Sequence, residues 1–237
     1  MSDQYNPFKE NRAEQMRDLW KYYVPFDGLE SSGKPIVVEG GRGSGKTMFF
    51  QCNSWREKSI EFQKKGKSIC KLIDEEFIGL YYRVDTTFVS SMRNGEEENW
   101  GKVFETYLGI CIFKELLDFI IEIASVMTIS EKLLSEFVVD YSRRFNNKSD
   151  IEDIYLFRKE CDRYLDIIED KINGTNMVSD LRYININRLI NDACKSVNTL
   201  LDCQLTPLSF EYSTLSTFLS VTVVPSTLSI TGLLGLS

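Results

Sequence analysis

The stretch KPIVVEGGRGSGKTMFF, residues 34–50, joins a short apolar run to a glycine-rich loop. Gly40 to Thr47 fit the pattern G-x-x-x-x-G-K-[ST]. Glycines at 40, 41, 43 and 45 permit backbone turns that side chains would forbid, so successive N–H groups can face one anion. The stretch therefore predicts a phosphate-binding loop.

The side chains of the loop indicate how a nucleoside triphosphate would be held. Lys46, the expected catalytic residue, can reach the β- and γ-phosphates as a point charge, and the Thr47 hydroxyl can ligate Mg²⁺. A helix beginning near Gly45 would aim its positive end at the same phosphates. The expected binding residues of the loop are Gly40, Gly41, Arg42, Gly43, Ser44, Gly45, Lys46, Thr47 and Met48.

The flanking sequence predicts a strand, a loop and a helix in that order. Residues 35–39 contain three successive β-branched or apolar positions after a run of turn residues, which is typical of a short buried strand. Residues 46–65 lack Gly and Pro, which predicts one helix ending near Gly66. Upstream, Asn6-Pro7 is a helix-start signal, and that helix is expected to run to Pro25.

Composition limits the chemistry that the chain can perform. The 237 residues carry a formal net charge of −7, which argues against non-specific nucleic-acid binding by the whole surface. Histidine is absent, so His-based general bases and His metal sites are excluded. The six cysteines form no C-x-x-C pair, which favours buried thiols in a reducing compartment over a zinc site. The polar N-terminus has no secretory signal, so the expected location is cytoplasmic.

The remaining sequence divides into a nucleotide-binding core at 1–98, a helical block at 99–204 and an uncharged tail at 205–237. The core is expected to contain a second buried strand, FIGLYYRV at 77–84. Four helices are predicted in the block, the third opened by a capping box of Ser149 and Glu152. Residues 214–237 contain no charged residue and fit either a pair of buried strands or a tail without native structure. A membrane span is disfavoured by the central Pro225 and the missing Lys or Arg anchors.

The acid that a hydrolysing P-loop enzyme needs is not evident. Such an enzyme has an apolar strand ending in Asp, which holds Mg²⁺ and polarises the attacking water. Asp74-Glu75 follow only two apolar residues, which is more typical of a charged turn. Asp85 follows the second strand and could serve Mg²⁺ in a kinase-like or GTPase-like sheet. The sequence thus predicts nucleotide binding without demonstrating hydrolysis.

Three segments together resemble AAA-type ATPases of the origin-recognition-complex, initiator-like group, particularly bacterial members. They are NPFKENRAEQMRDLWKYYVP, KPIVVEGGRGSGKTMFF and FIGLYYRVDT, and the resemblance covers roughly residues 5–115. It implies an α/β P-loop NTPase fold with a parallel, AAA-like sheet, and ATP with Mg²⁺ as ligands. It also implies that Asn6, Pro7 and Phe8 lie against the adenine.

The chain departs from that family's pattern in several places. Its Walker B Asp-Glu strand, sensor residues and helical lid are not recognisable, and the family's chains usually continue well beyond this length. These departures imply the N-terminal part of a longer ATPase, either a fragment or a prematurely ended gene. Roles in DNA transactions or bacterial defence follow from the resemblance alone.

Three functional hypotheses remain open at this point. The first is an ATP-binding AAA-type ATPase module, and the second is a nucleotide-dependent switch or scaffold without turnover, whose helical block binds a protein partner or a second copy. The third is a GTPase or phosphotransferase using Asp85. Residues 147–150 formally match the N-K-x-D element for guanine, but no buried strand precedes them and Ser149 is better used as a helix cap, so guanine recognition is disfavoured. DNA binding by the helical block is not expected, since its basic cluster is small.

Overall fold

The structure of the protein is a computed structural model, which describes most of the predicted helices and parts of a β-sheet. The described residues are 16, 18–25, 36–38, 44–74, 78–83, 88, 97–145, 150–173, 182–201, 205–206, 218–225 and 233–235. Among them, six α-helices alternate with or follow short strands. The helices are α1 (Lys46–Cys52), α2 (Trp55–Lys64), α3 (Glu97–Val126), α4 (Glu131–Phe145), α5 (Ile154–Asn173) and α6 (Ile186–Leu201). The strands are β1 (Ile36–Val38), β2 (Ile78–Arg83), β3 (Leu205–Thr206), β4 (Phe218–Pro225) and β5 (Leu233–Gly235).

The described strands form a mixed sheet, so the expected parallel, AAA-like sheet is not confirmed. Their order is β1-β5-β4-β2, with β3 paired to β4. Only β1 and β5 pair in parallel, whereas β4 runs antiparallel to both β5 and β2. The 214–237 tail supplies β4, whose Val221-Thr222-Val223-Val224 run has the β-branched composition that suits a pleated surface. The tail also supplies β5, and both tail strands lie between β1 and β2. They were not part of the parallel sheet expected from the sequence.

The segment before β1 differs from the long helix expected there. Among residues 18–25, only Leu19–Lys21 are helical, and they form a single 3₁₀ turn. Asp18 precedes this turn with a φ of 54°, a left-handed conformation that interrupts an α-helix. A second 3₁₀ helix, Ile69–Asp74, follows α2.

The helix ends follow local sequence signals, with one correction. Gly66 has a φ of 68° and ends α2 in a Schellman motif, in which the Lys67 N–H donates to the Phe62 carbonyl over 2.8 Å. The start of α5 is capped by Asp153, whose carboxylate accepts the Leu156 N–H over 2.8 Å. The capping box proposed at Ser149 and Glu152 is therefore wrong, because α5 begins only at Ile154.

The core lies around α3, the longest helix. Most of its residues from Val103 to Ile123 are buried, and it contacts α5, α6 and β2. Phe113 is fully buried and lies within 6.3 Å, ring centroid to ring centroid, of Phe137, Tyr141, Phe145 and Phe157. Three helices thus meet at one aromatic cluster. In the described part of the chain, no helix combines the length and the apolar character needed to span a bilayer.

Candidate nucleotide-binding site

The described part of the glycine loop begins at Ser44 and leads directly into α1. Gly45 caps α1 with a φ of 85° and a ψ of 7°, a left-handed conformation that glycine adopts at no steric cost. Its carbonyl accepts the Phe49 N–H over 2.9 Å, which is the first hydrogen bond of the helix. Ser44 and Gly45 are both exposed, so the amino end of α1 faces solvent.

The two chemically important side chains of the motif lie in the first turn of α1. Lys46 and Thr47 are half-buried, as is Met48 beyond them. The Lys46 ammonium lies 3.5 Å from the Ser44 hydroxyl, so the lysine bends back toward the loop. The structure thus brings the predicted residues 44–48 together at one helix end.

The carboxyl end of α1 is fixed by a short junction, Asn53 and Ser54. The Asn53 amide donates to the Phe49 carbonyl over 2.8 Å and to the Tyr23 hydroxyl over 3.0 Å. Ser54 donates to the Gln51 carbonyl over 2.6 Å and caps α2 by accepting the Glu57 N–H over 3.5 Å. The single helix expected over 46–65 is therefore wrong, because the chain breaks at this junction.

The junction lies directly against β2. Ser54 forms a parallel bridge with Gly79, and a Cβ atom on Gly79 would lie 2.0 Å from the Asn53 carbonyl oxygen. Only glycine permits so close an approach of two backbones. No local pattern predicts this contact, but Ser54-x-x-Glu57 has the form of a capping box and marks the start of α2.

Ion pairs tie α2 to the helical block. The Arg56 guanidinium donates to Glu115 over 2.9 Å and to Asp118 over 2.7 Å, and Arg158 on α5 donates to the same Asp118 over 2.6 Å. These groups are partly exposed, so each pair is worth only about 0–1 kcal/mol. Their main consequence is geometric, since Asp118 on α3 links Arg56 of α2 to Arg158 of α5.

The titratable groups nearest the carboxyl end of α1 offer no nucleophile. Burial, with smaller contributions from the charges of Glu57 and Glu61, raises the pKa of the Cys52 thiol to about 12. Burial also raises the pKa of Glu57, with a smaller contribution from Asp18. Cys52 therefore stays protonated at neutral pH, and thiolate chemistry has no support here.

Several predicted site residues lie outside the described residues. They are Gly40, Gly41, Arg42 and Gly43 of the loop, Asn6, Pro7 and Phe8 of the adenine-facing segment, and the metal candidate Asp85. Among the residues that the structure does describe, no group of three or more His, Cys, Asp or Glu side chains could hold a metal ion.

Replacing Gly45 with alanine should destabilise the protein by about 1–2 kcal/mol, because an L-residue is strained at a φ of 85°. A Cβ atom at Gly45 meets nothing within 4 Å, so the cost is conformational and not a clash. Urea unfolding followed by circular dichroism measures it. Gly101→Ala is the matched control. Gly101 lies within α3, and a Cβ atom there meets nothing within 4 Å, so this substitution should be neutral or stabilising. Equal effects of the two substitutions would contradict this assignment.

Comparison with known proteins places the chain in one family. A model of the ORC-CDC6-like family matches residues 6–218, which confirms the resemblance and extends it from the glycine loop through the helical block. Searches of the curated proteins and of the solved structures each gave no significant match. Because the matched span is most of the chain, the protein belongs to the ORC-CDC6-like family.

Proposed function

We propose that this chain is an AAA-type module that binds ATP with Mg²⁺ through residues 40–47. The observation that carries the proposal is the start of α1. A left-handed Gly45 is followed at once by Lys46 and Thr47, within a complete phosphate-loop motif of an ORC-CDC6-like chain. The exposure of Ser44 and Gly45 leaves this helix end accessible to a ligand.

Each residue has a separate role in holding the triphosphate. Backbone N–H groups of Gly43, Ser44 and Gly45 would cradle phosphate oxygens. Lys46, already close to the loop through Ser44, would turn its ammonium group toward the β- and γ-phosphates. The remaining loop residues, Gly40, Gly41, Arg42 and Met48, would complete the enclosure, and Asn6, Pro7 and Phe8 would lie against the adenine.

The residues present fit a magnesium ion held mainly by the nucleotide. Mg²⁺ in nucleotide sites commonly takes one or two protein oxygens, with phosphates and waters filling the other positions. The half-buried Thr47 hydroxyl supplies such an oxygen next to Lys46. When bound, the ion would neutralise phosphate charge.

We infer that this chain alone binds the nucleotide without hydrolysing it. The strand paired in parallel with β1 is β5, whose residues Leu233, Leu234 and Gly235 carry no acid. Since β1 and β2 run in the same direction, their carboxyl ends, Val38 and Arg83, lie at the same edge of the sheet. However, β2 is three inter-strand spacings from β1, about 14 Å. This separation favours a nucleotide-dependent switch, or a module whose acid a partner supplies, over an enzyme using Asp85.

The test is ATP affinity with Mg²⁺, measured by calorimetry, together with phosphate release. We expect Lys46→Ala to weaken binding about 100-fold, because charge-assisted hydrogen bonds to the phosphates are lost. Lys132→Ala is the matched control, since Lys132 is exposed on α4 and pairs only loosely with Glu136 at 3.8 Å. No phosphate release is expected from any of the three proteins.

Each other outcome has a defined meaning. Equal ATP affinity in the wild type and Lys46→Ala would refute the phosphate-loop role. Turnover that Lys46→Ala abolishes would contradict the non-hydrolysing proposal and make Asp85→Asn the next variant.

A further inference from the structure

A second concave site lies far along the chain from the glycine loop, between the end of α4 and the start of α6. It is a cavity of about 300 Å³. Its lining residues are Arg144, Arg182, Tyr183, Ile184, Asn185, Arg188 and Leu189. Since a water occupies about 30 Å³ in the liquid, the space would admit roughly ten waters or a small hydrated anion.

The first of the three arginines is fixed in position. The Arg144 guanidinium donates to Asp192 over 2.8 Å and to Asp140 over 2.9 Å, and it stacks over the Tyr141 ring at 4.7 Å. A guanidinium has five N–H donors, and these two hydrogen bonds leave others available. Arg144 therefore presents a pre-oriented donor group at the wall of the cavity.

The other two arginines come from the segment that leads into α6. Arg182 donates to the Arg143 carbonyl over 3.2 Å, which holds this segment against the end of α4. Arg188 lies 3.9 Å from Asp192 and its side chain is 83% exposed. An ion pair this long and this exposed contributes little free energy. Arg188 can therefore turn toward an anion at small cost.

The described residues that line the cavity include three arginines and no carboxylate, in an otherwise acidic protein. The charged groups described near it are of both signs. The cations are Lys102, Arg143, Arg144, Arg182 and Arg188, and the carboxylates are Glu105, Asp140, Asp150 and Asp192. The chain as a whole carries −7. A local excess of arginines around a concavity attracts multivalent anions, and guanidinium forks match phosphate oxygens in geometry.

We propose that this cavity binds a small phosphate-type anion through Arg144, Arg182 and Arg188, independently of the phosphate loop. The site differs from the loop in its chemistry, because it uses guanidinium side chains in place of backbone amides and a lysine. Its ligand is a free diphosphate-like anion and not a nucleic-acid backbone, since the cavity holds only about 300 Å³ and the apolar Ile184 and Leu189 form part of its lining.

The test uses inorganic pyrophosphate and the full chain carrying Lys46→Ala, which removes the phosphate-loop contribution. We expect calorimetry at low ionic strength to detect binding. Adding Arg188→Gln should weaken it about tenfold, the cost of one charge-assisted hydrogen bond. Adding Arg163→Gln should leave it unchanged, because Arg163 is exposed on α5, pairs with Glu160 and does not line the cavity.

Two results would overturn the proposal. They are no pyrophosphate binding by the Lys46→Ala chain, whether or not it binds a DNA duplex, and equal affinity of the Arg188→Gln and Arg163→Gln variants. Arg182→Gln provides a second variant at the same site and should also weaken binding. Because ATP binding by the wild type is measured separately, failure here leaves the proposed function untouched.

Discussion

Replacing Gly79 with alanine should destabilise the protein by about 3 kcal/mol or more. The new Cβ atom would lie 2.0 Å from the carbonyl oxygen and 2.9 Å from the carbonyl carbon of Asn53. Both are backbone atoms, so no side-chain rotation can relieve the overlap. Either β2 or the junction between α1 and α2 must move, and overpacking of this kind costs about 1–3 kcal/mol even where side chains can adjust.

Urea unfolding of the wild type and of Gly79→Ala measures this cost directly. Gly101→Ala is again the matched control, because a Cβ atom there meets nothing within 4 Å and alanine favours a helix over glycine by about 0.5–1 kcal/mol. A Gly79→Ala variant as stable as the wild type would show that β2 and the junction do not lie in contact.

The same substitution bears on the proposed nucleotide site. Gly79 contacts the junction that ends α1, and α1 begins with Lys46 and Thr47. A shift of the junction moves this short helix as a whole. Under conditions in which Gly79→Ala remains folded, we therefore expect weaker ATP binding than in Gly101→Ala.

Local features of the fold could be predicted from the sequence because short-range chemistry determines them. The strand at Ile36–Val38, the helix start at Lys46 and the helix end near Gly66 are all predicted from residues within one or two turns. Ser130, directly before α4, is a further local signal, and its hydroxyl accepts the Leu133 N–H over 3.5 Å. Such signals involve a few adjacent residues, so they survive any change in tertiary arrangement.

The features that were missed depend on contacts between distant parts of the chain. Ile78 pairs with Val223, and nothing near either residue specifies the other as its partner. The glycine at 79 is required only because Asn53 approaches it, so its role is invisible in the strand sequence alone. The arginine cavity likewise joins Arg144 to Arg188 across two helices. Two missed features had local signals: the break at Ser54, with its capping box to Glu57, and the start of α5, which Asp153 caps.

Replacing Phe113 with alanine should produce a loss of stability of about 3–5 kcal/mol, the usual range for removing a buried phenylalanine. Phe113 is fully buried, and its ring lies 4.9 Å from that of Tyr141 on α4 and 5.9 Å from that of Phe157 on α5. Truncation leaves a cavity between three helices, lined by the rings of Phe137, Tyr141, Phe145 and Phe157. The surrounding structure relaxes only in part around such a deletion, so most of the cavity remains.

Tyr155→Ala separates this effect from general loss of an aromatic side chain. Tyr155 lies on α5, two residues from Phe157, but is 63% exposed, so its removal should change the free energy of unfolding by less than about 0.5 kcal/mol. Chemical denaturation of both variants gives the comparison. A loss below about 1.5 kcal/mol for Phe113→Ala would mean that the three helices can close over the space. In that case the side chains of the aromatic cluster would rearrange to fill the space left by Phe113, while the ion pair of Arg158 with Asp118 stays in place.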